Sequence, residues 1–320
     1  MPGKGTNTMT AATLSSTHTP RLSLEPINPM DSLEQIVAGA SDLATLPQIV
    51  LRVISLTDDP KAAAPDLEKL IAMDQALAVK ILALANSSYY GLPRRVSSLR
   101  EAVVFLGFRT LREMATTIST GSLFLGRGDV PALARRALWR HSIDAAQCAR
   151  VVVSLLSPDM REAVGADQAY TAALLHDIGK AALDRSRHAL FVALVRMADL
   201  HKVRYSVIEA EAMLFTHGQI GAAMATRWNL PASLVEAIAY HHTPGAATLN
   251  PKLTATVCLA NEIARFLETA PTSPTPDALA LLHQTCREAL MPLRVSEEGF
   301  QSMVHACRVE MAKGLSGMGI

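Results

Sequence analysis

Cysteine is scarce: Cys148, Cys258, Cys286 and Cys307 are the four in 320 residues, and no two of them form a C-x-x-C pair. That spacing excludes a thiolate zinc site and a disulfide framework and leaves them as small buried apolar residues. Aromatic residues make up 4% of the chain, too few to stack single-stranded nucleic acid. Neither sign of charge prevails. With 30 Lys+Arg against 29 Asp+Glu the formal charge is +1, so no global field favours nucleic acid or an anionic membrane. Apolar runs are cut by charge well short of the ~20 residues of a membrane span. The first twenty residues carry one lysine and no apolar block, unlike a secretory signal. These absences predict a cytoplasmic protein without a membrane anchor and disfavour nucleic acid as a partner, for which a local basic patch would have to be shown separately.

What is present is apolar and helical. Hydrophobic residues reach 49% and charged ones 18%, enough to bury a sizeable core, and the length suits about two compact units. Residues 1–30 are rich in Thr, Ser and Pro and are expected to be a disordered tail. Beyond them the periodicity is helical almost throughout. Leu77, Ile81, Leu84 and Ala85 fall on one stripe of a helix that Asp74 can cap. Gly91 and Pro93 break the pattern, and Ser98 stands three residues before Glu101, a capping-box spacing for the next helix, which Gly107 interrupts. GRGDVP at 126–131 is the best boundary and TAPTSPTP at 269–276 reads as a linker. No hairpin signal is found, so an all-α fold is predicted.

Ten histidines are unevenly placed. His176 and Asp177 are adjacent in LLHDIGK, His241 and His242 in AYHHTP, and His141 and His217 each begin or interrupt an apolar helical segment. Imidazole and carboxylate hold Zn, Mn or Fe, and a carboxylate can bridge two ions. Neighbours on a helix point about 100° apart, so His176 and Asp177 share a site only across that corner. Lys180, three residues after Asp177, lies on its face and could hold a phosphate oxygen. A His-Asp pair also arises by chance, and a lone histidine on an apolar helix is commonly a hydrogen-bonded core residue. Spacing alone leaves both readings open. His18, His188, His201, His283 and His305 show no partner pattern.

The order of motifs is more specific. LATLPQIVLRVISL (43–56), LANSSYYGLPRRVSSLREAVVFLGFRTLREMA (84–115), LWRHS, LLHDIGK, HGQIGAAMATRWNLP and AIAYHH follow one another as in the HDOD family, which the chain resembles over about 41–265. HDOD proteins are bacterial signalling proteins, an offshoot of the HD superfamily of metal-dependent phosphohydrolases. The resemblance implies an N-terminal helical bundle at 31–128, a degenerate HD-type helical domain at 129–268, and C-terminal helices at 277–320. Carried over by motif, the metal ligands fall on His141, His176 and Asp177, with Lys180 on the phosphate side. His217, His241 and His242 match the second-metal histidines of the cyclic-di-GMP hydrolases. The superfamily's last aspartate falls on Asn261, a weaker, uncharged ligand, and the GYP run is missing from TPGAATLNP after His242. Six of the seven expected ligand positions are filled.

The resemblance and its departures imply a signalling module acting through signalling proteins or a small regulatory ligand. They allow a divalent metal (Fe, Mn, Mg or Zn) and self-association. The alternative is a metal-dependent phosphohydrolase using Asp177 and Lys180, against which Asn261 argues. A third reading, a DNA-binding helix-turn-helix in REAVVFLGFRTLREMA with Arg109 and Arg112 as contacts, ranks last because Thr110 and Glu113 add no basic excess.

Overall fold

The computed structural model describes residues 32–40, 43, 48–58, 63–125, 132–270 and 274–314. The tail at 1–30 and the GRGDVP turn lie outside them, as do residues 271–273 of the linker. Among the described residues the regular structure is helical, without strands. The first helices are α1 (Leu33–Gly39), α2 (Gln48–Asp58), α3 (Ala64–Ala72), α4 (Gln75–Ala85) and α5 (Leu99–Leu125). Next come α6 (Ala132–Leu155), α7 (Pro158–Val164), α8 (Ala166–Leu175), α9 (Ile178–Ser186), α10 (His188–His201) and α11 (Tyr205–Ala212). They are followed by α12 (His217–Arg227), α13 (Ala232–Tyr240), α14 (Pro251–Thr269), α15 (Pro276–Thr285), α16 (Arg287–Leu293) and α17 (Glu297–Ala312).

Local signals explain the helix ends. The Asp74 carboxylate accepts from the Leu77 N–H, and α4 buries Leu77, Ile81, Leu84 and Ala85, the stripe expected from periodicity. At the start of α5 the capping box is shifted by one residue. Ser98 Oγ accepts from the Glu101 N–H at 3.1 Å, but the Glu101 carboxylate reaches back to the Ser97 N–H at 2.7 Å. Gly107 sits at φ 84° inside α5, a left-handed backbone that breaks the helix into two rods.

Helices α2, α3 and α4 pack on α5, which also leans on α6 and α8. In the second half α6 is the spine, flanked by α8, α14 and α17, while α9, α12 and α13 form the adjoining layer. Helix α1 lies against α9 and α12, and the Trp228 indole N–H donates to the Leu43 carbonyl at 3.0 Å, so Leu43 is tied to the second half. The C-terminal helices close on the same body, α16 against α14 and α17 against α6. All four cysteines are free and buried, consistent with their small apolar character. Arg109 and Arg112 both pair with Asp167, and Arg112 is buried while Arg109 is half exposed.

Close backbone approaches set the layer that matters for the site. A Cβ on Gly179 of α9 would lie 1.9 Å from the His217 carbonyl oxygen of α12, and one on Gly218 would lie 2.6 Å from the Ala239 oxygen of α13. Only glycine permits these crossings, which bring the start of α9, the start of α12 and the end of α13 to one place.

The loop between α13 and α14 is held by one carboxylate. Glu236 accepts from the N–H groups of Thr248, Leu249 and Asn250 at 2.6–2.7 Å. Burial pushes this carboxyl up, but the three backbone donors outweigh it and hold it below the usual glutamate range. Its stabilising contribution is therefore present above the unfolded glutamate pKa of about 4.3 and is lost as pH falls through the lower folded value. Glu236→Ala is expected to cost about 2–3 kcal/mol at neutral pH, with the difference from the parent shrinking toward pH 3 in urea unfolding curves. A pH-independent difference would contradict this.

Candidate metal centre

His176 is the last residue before a break, the C-cap of α8, and Asp177 is the N-cap position of α9. The two side chains thus meet across a helix junction and not along one continuous helix. Lys180, in the first turn of α9, reaches back to place its ammonium 2.7 Å from Asp177 Oδ2. His141 comes from the middle of α6, His217 opens α12 under the Thr216–Gln219 capping box, and His241 and His242 end α13. Asn261 projects from α14. All seven sequence-predicted ligand positions converge here.

Asp177 lies between two groups of imidazoles. Its Oδ2 is 3.5 Å from His176 Nε2 and 3.9 Å from His141 Nε2. The other oxygen, Oδ1, is 3.2 Å from His217 Nε2 and 3.9 Å from His241 Nε2. On that side His217 Nε2 stands 3.1 Å from His241 Nε2 and 3.2 Å from His242 Nε2. Asn261 Oδ1 is 2.9 Å from His141 Nε2. Two compact donor groups result, His141–His176–Asp177 and His217–His241–His242, with ligand atoms in each within 4.8 Å of one another.

Outer contacts fix the rings. His176 Nδ1 donates to the Ala173 carbonyl at 2.6 Å and His241 Nδ1 to the Ile238 carbonyl at 2.7 Å. His217 Nδ1 meets Glu209 at 2.6 Å, and His141 Nδ1 meets Glu268 at 2.7 Å. With Nδ1 given to a carbonyl oxygen, His176 and His241 turn the Nε2 lone pair inward, the arrangement that metal-bound imidazoles use, while His141 Nε2 and His217 Nε2 face the oxygens of Asn261 and Asp177.

Burial sets the charge states. It pushes His176 down to about 4, helped by the neighbouring His141 and Lys180. It likewise takes His242 to about 2, with His217 adding to the shift, and His241 well below the usual histidine range. Burial and Lys180 also push His217 down, but Glu209 and Asp177 outweigh them and raise it. For Asp177 burial acts upward, yet Lys180, His176 and His217 hold it well below the usual carboxylate range. Neutral His176, His241 and His242 beside an ionised Asp177 are the protonation states a divalent cation needs, whereas His217, held toward its protonated form, has to release a proton to coordinate one.

The donor set suits such a cation. Zn–N bonds of about 2.0–2.1 Å place neighbouring ligand nitrogens roughly 3.0–3.4 Å apart, close to the observed His217–His241 and His217–His242 separations. Inside the cluster, His176 Nε2 and Asn261 Nδ2 are buried without a hydrogen-bond partner. The His/Asp groups are therefore capable of coordinating a divalent metal.

That sequence of motifs, fold and donor set coincides with a family pattern. A model of the HDOD domain matches residues 43–244. The chain belongs to the HDOD family. An HDOD domain protein of unknown function from Geobacter sulfurreducens is similar in structure, with 26% identity, a TM-score of 0.70, and coverage of 89% of this chain and all of that one. A Shewanella amazonensis SB2B protein shares the HDOD fold at 21% identity and a TM-score of 0.65, over 87% of this chain and 97% of that one. An uncharacterized Treponema pallidum (strain Nichols) protein is 27% identical over 267 residues, 83% of this chain. The chain spans about half the length of that relative.

Sequence reasoning missed the residues that orient the HDOD cluster. Glu209 precedes His217 by eight residues with no shared helix, so no local pattern marks it. Glu268 was findable: it lies seven residues after Asn261, on the same face of α14. His188 binds Asp184 and His283 packs on Phe300, both outside the cluster. A cavity of 620 Å³, open beside His141, Asp177 and Lys180, was also not foreseen.

Proposed function

We propose that this HDOD protein is a signalling module whose HD-type cluster holds divalent metal and recognises an anionic ligand, with the outcome passed to protein partners. The observation that carries the reading is the Asp177 carboxylate facing two groups of inward-turned Nε2 atoms. In this reading His141, His176 and Asp177, with Asn261 at the edge, hold one ion, and His217, His241 and His242 with Asp177 hold another. When bound, such ions supply positive charge and Lewis acidity toward a phosphoryl oxygen. Lys180, beside Asp177, adds a cation that an anionic ligand can meet.

Asn261 is why binding is favoured over turnover. An amide brings no charge, so the cluster has one carboxylate among its seven positions, and metal affinity and charge balance both fall short of an aspartate-bearing site. The second reading, a phosphohydrolase, is favoured by the position of Lys180 alone. Manganese-saturated full-length protein is expected to show a raised thermal midpoint but no hydrolysis of bis(4-nitrophenyl) phosphate or nucleotides above a His176→Ala background. Turnover that disappears in His176→Ala would replace the signalling reading with the hydrolase. Asn261→Asp, which restores the charge, is expected to tighten manganese binding by about 10-fold or more in calorimetry. Equal affinity would show that Asn261 is not at the metal.

A further inference from the structure

We propose that the 620 Å³ cavity next to the cluster binds a single-chain alkyl or aryl phosphate, head toward Lys180 and tail between α10 and α15. The volume lies within the range of about 300–1,000 Å³ typical of small-molecule sites. Its walls are apolar: Leu138, Phe191, Val195, Phe266, Leu281 and Leu282. Among the described residues neither asparagine nor glutamine lines it, so the directional amide contacts that read a nucleobase edge are missing from those side chains. A hydrocarbon needs none.

Polar side chains line it as well. His141, Asp177 and Lys180 form the floor. Arg265, four residues along α14 from Asn261, lines the cavity too, and among the described residues no acidic side chain is paired with it, whereas Arg204 is locked to Glu262 by two hydrogen bonds of 2.9 Å. Tyr205 lies under Lys180, with Nζ 5.3 Å from its ring centroid, and its buried hydroxyl has no hydrogen-bond partner. The Arg265 guanidinium, the Tyr205 hydroxyl and the Lys180 ammonium, the last of these 2.7 Å from Asp177, line one cavity together with Glu262 and Glu268, and in this proposal the two cations and the hydroxyl meet the anionic head. Leu281 of α15 is 65% exposed and lines the cavity, so α15 forms an outer wall that solvent reaches, beyond the 43–244 stretch matched by the family.

This deepens the proposed function, since the head group is assigned to the same site. The test is calorimetry on the full chain with butyl, hexyl and octyl phosphate and with adenosine 5′-monophosphate, each with manganese and with chelator. Each added methylene is expected to tighten binding by up to about fourfold, with octyl phosphate at least 10-fold tighter than the nucleotide. Arg265→Ala is expected to weaken the whole alkyl series by about 10-fold at unchanged chain-length dependence. Ala278→Phe, a bulkier residue on the α15 wall, is expected to flatten that dependence. Affinity independent of chain length, or tighter binding of the nucleotide, overturns the proposal even if manganese binds. Chain-length dependence that survives in chelator supports it even if the metal reading fails.

Discussion

Gly179→Ala is expected to be the most damaging single-methyl substitution in the second half of the chain. Its new Cβ would stand 1.9 Å from the His217 carbonyl oxygen and 2.7 Å from the Gly221 nitrogen. Both obstacles are backbone, so no rotamer change relieves the clash, and α9 must move off α12. Overpacking a core costs typically about 1–3 kcal/mol, and a backbone-to-backbone collision belongs at or above the upper end. A drop of about 5 °C or more in the thermal midpoint follows. The separation also pulls Asp177 away from His217, so manganese affinity is expected to fall by more than about 10-fold in the molecules that remain folded. Gly245→Ala is the control. Its Cβ would meet only the Glu288 carboxylate at 3.8 Å, and it is expected to unfold like the parent. Equal midpoints for the two variants would refute the account of the α9–α12 crossing.

Asp177→Asn is expected to have the largest effect on metal. Both donor groups face this carboxylate, so the substitution weakens both at once, whereas loss of His176 or His242 affects one. A neutral amide replacing the cluster's carboxylate is expected to lower manganese affinity by about 100-fold or more. The metal-free protein suffers as well. Lys180, 12% exposed at its side chain, loses its 2.7 Å partner, and breaking a buried pair from one side costs on the order of 3 kcal/mol. Denaturant curves with chelator measure that loss separately from the metal. An Asp177→Asn protein that binds manganese as tightly as the parent would exclude the carboxylate from any metal site.

The all-α fold was legible because helical stripes such as Leu77–Ile81–Leu84 are set by local periodicity, which tertiary packing here reinforces. The residues that converge in the cluster were legible by motif and not by spacing. His141 and Asn261 lie 120 residues apart in sequence, and nothing in either helix announces that they meet at 2.9 Å. Helical periodicity runs through His176 and Asp177 without a break signal, yet the chain starts a new helix at Asp177, which turns the carboxylate toward both imidazole groups. Glu209 and the cavity were invisible because both depend on how α10, α11, α14 and α15 surround the cluster, a matter of packing between distant segments. In the same way Gly179 and Gly218 read as ordinary helix glycines until the crossing helices are placed against them.

The central claim is that the His/Asp cluster is a metal centre and not an inherited packing motif. Elemental mass spectrometry on untagged full-length protein, beside His176→Ala purified in parallel, tests it most directly. The account predicts close to one or two divalent ions per chain in the parent and a clear loss in the variant, with both giving the same helical circular dichroism. Absence of metal from both folded proteins would contradict it and reduce the histidines to core residues.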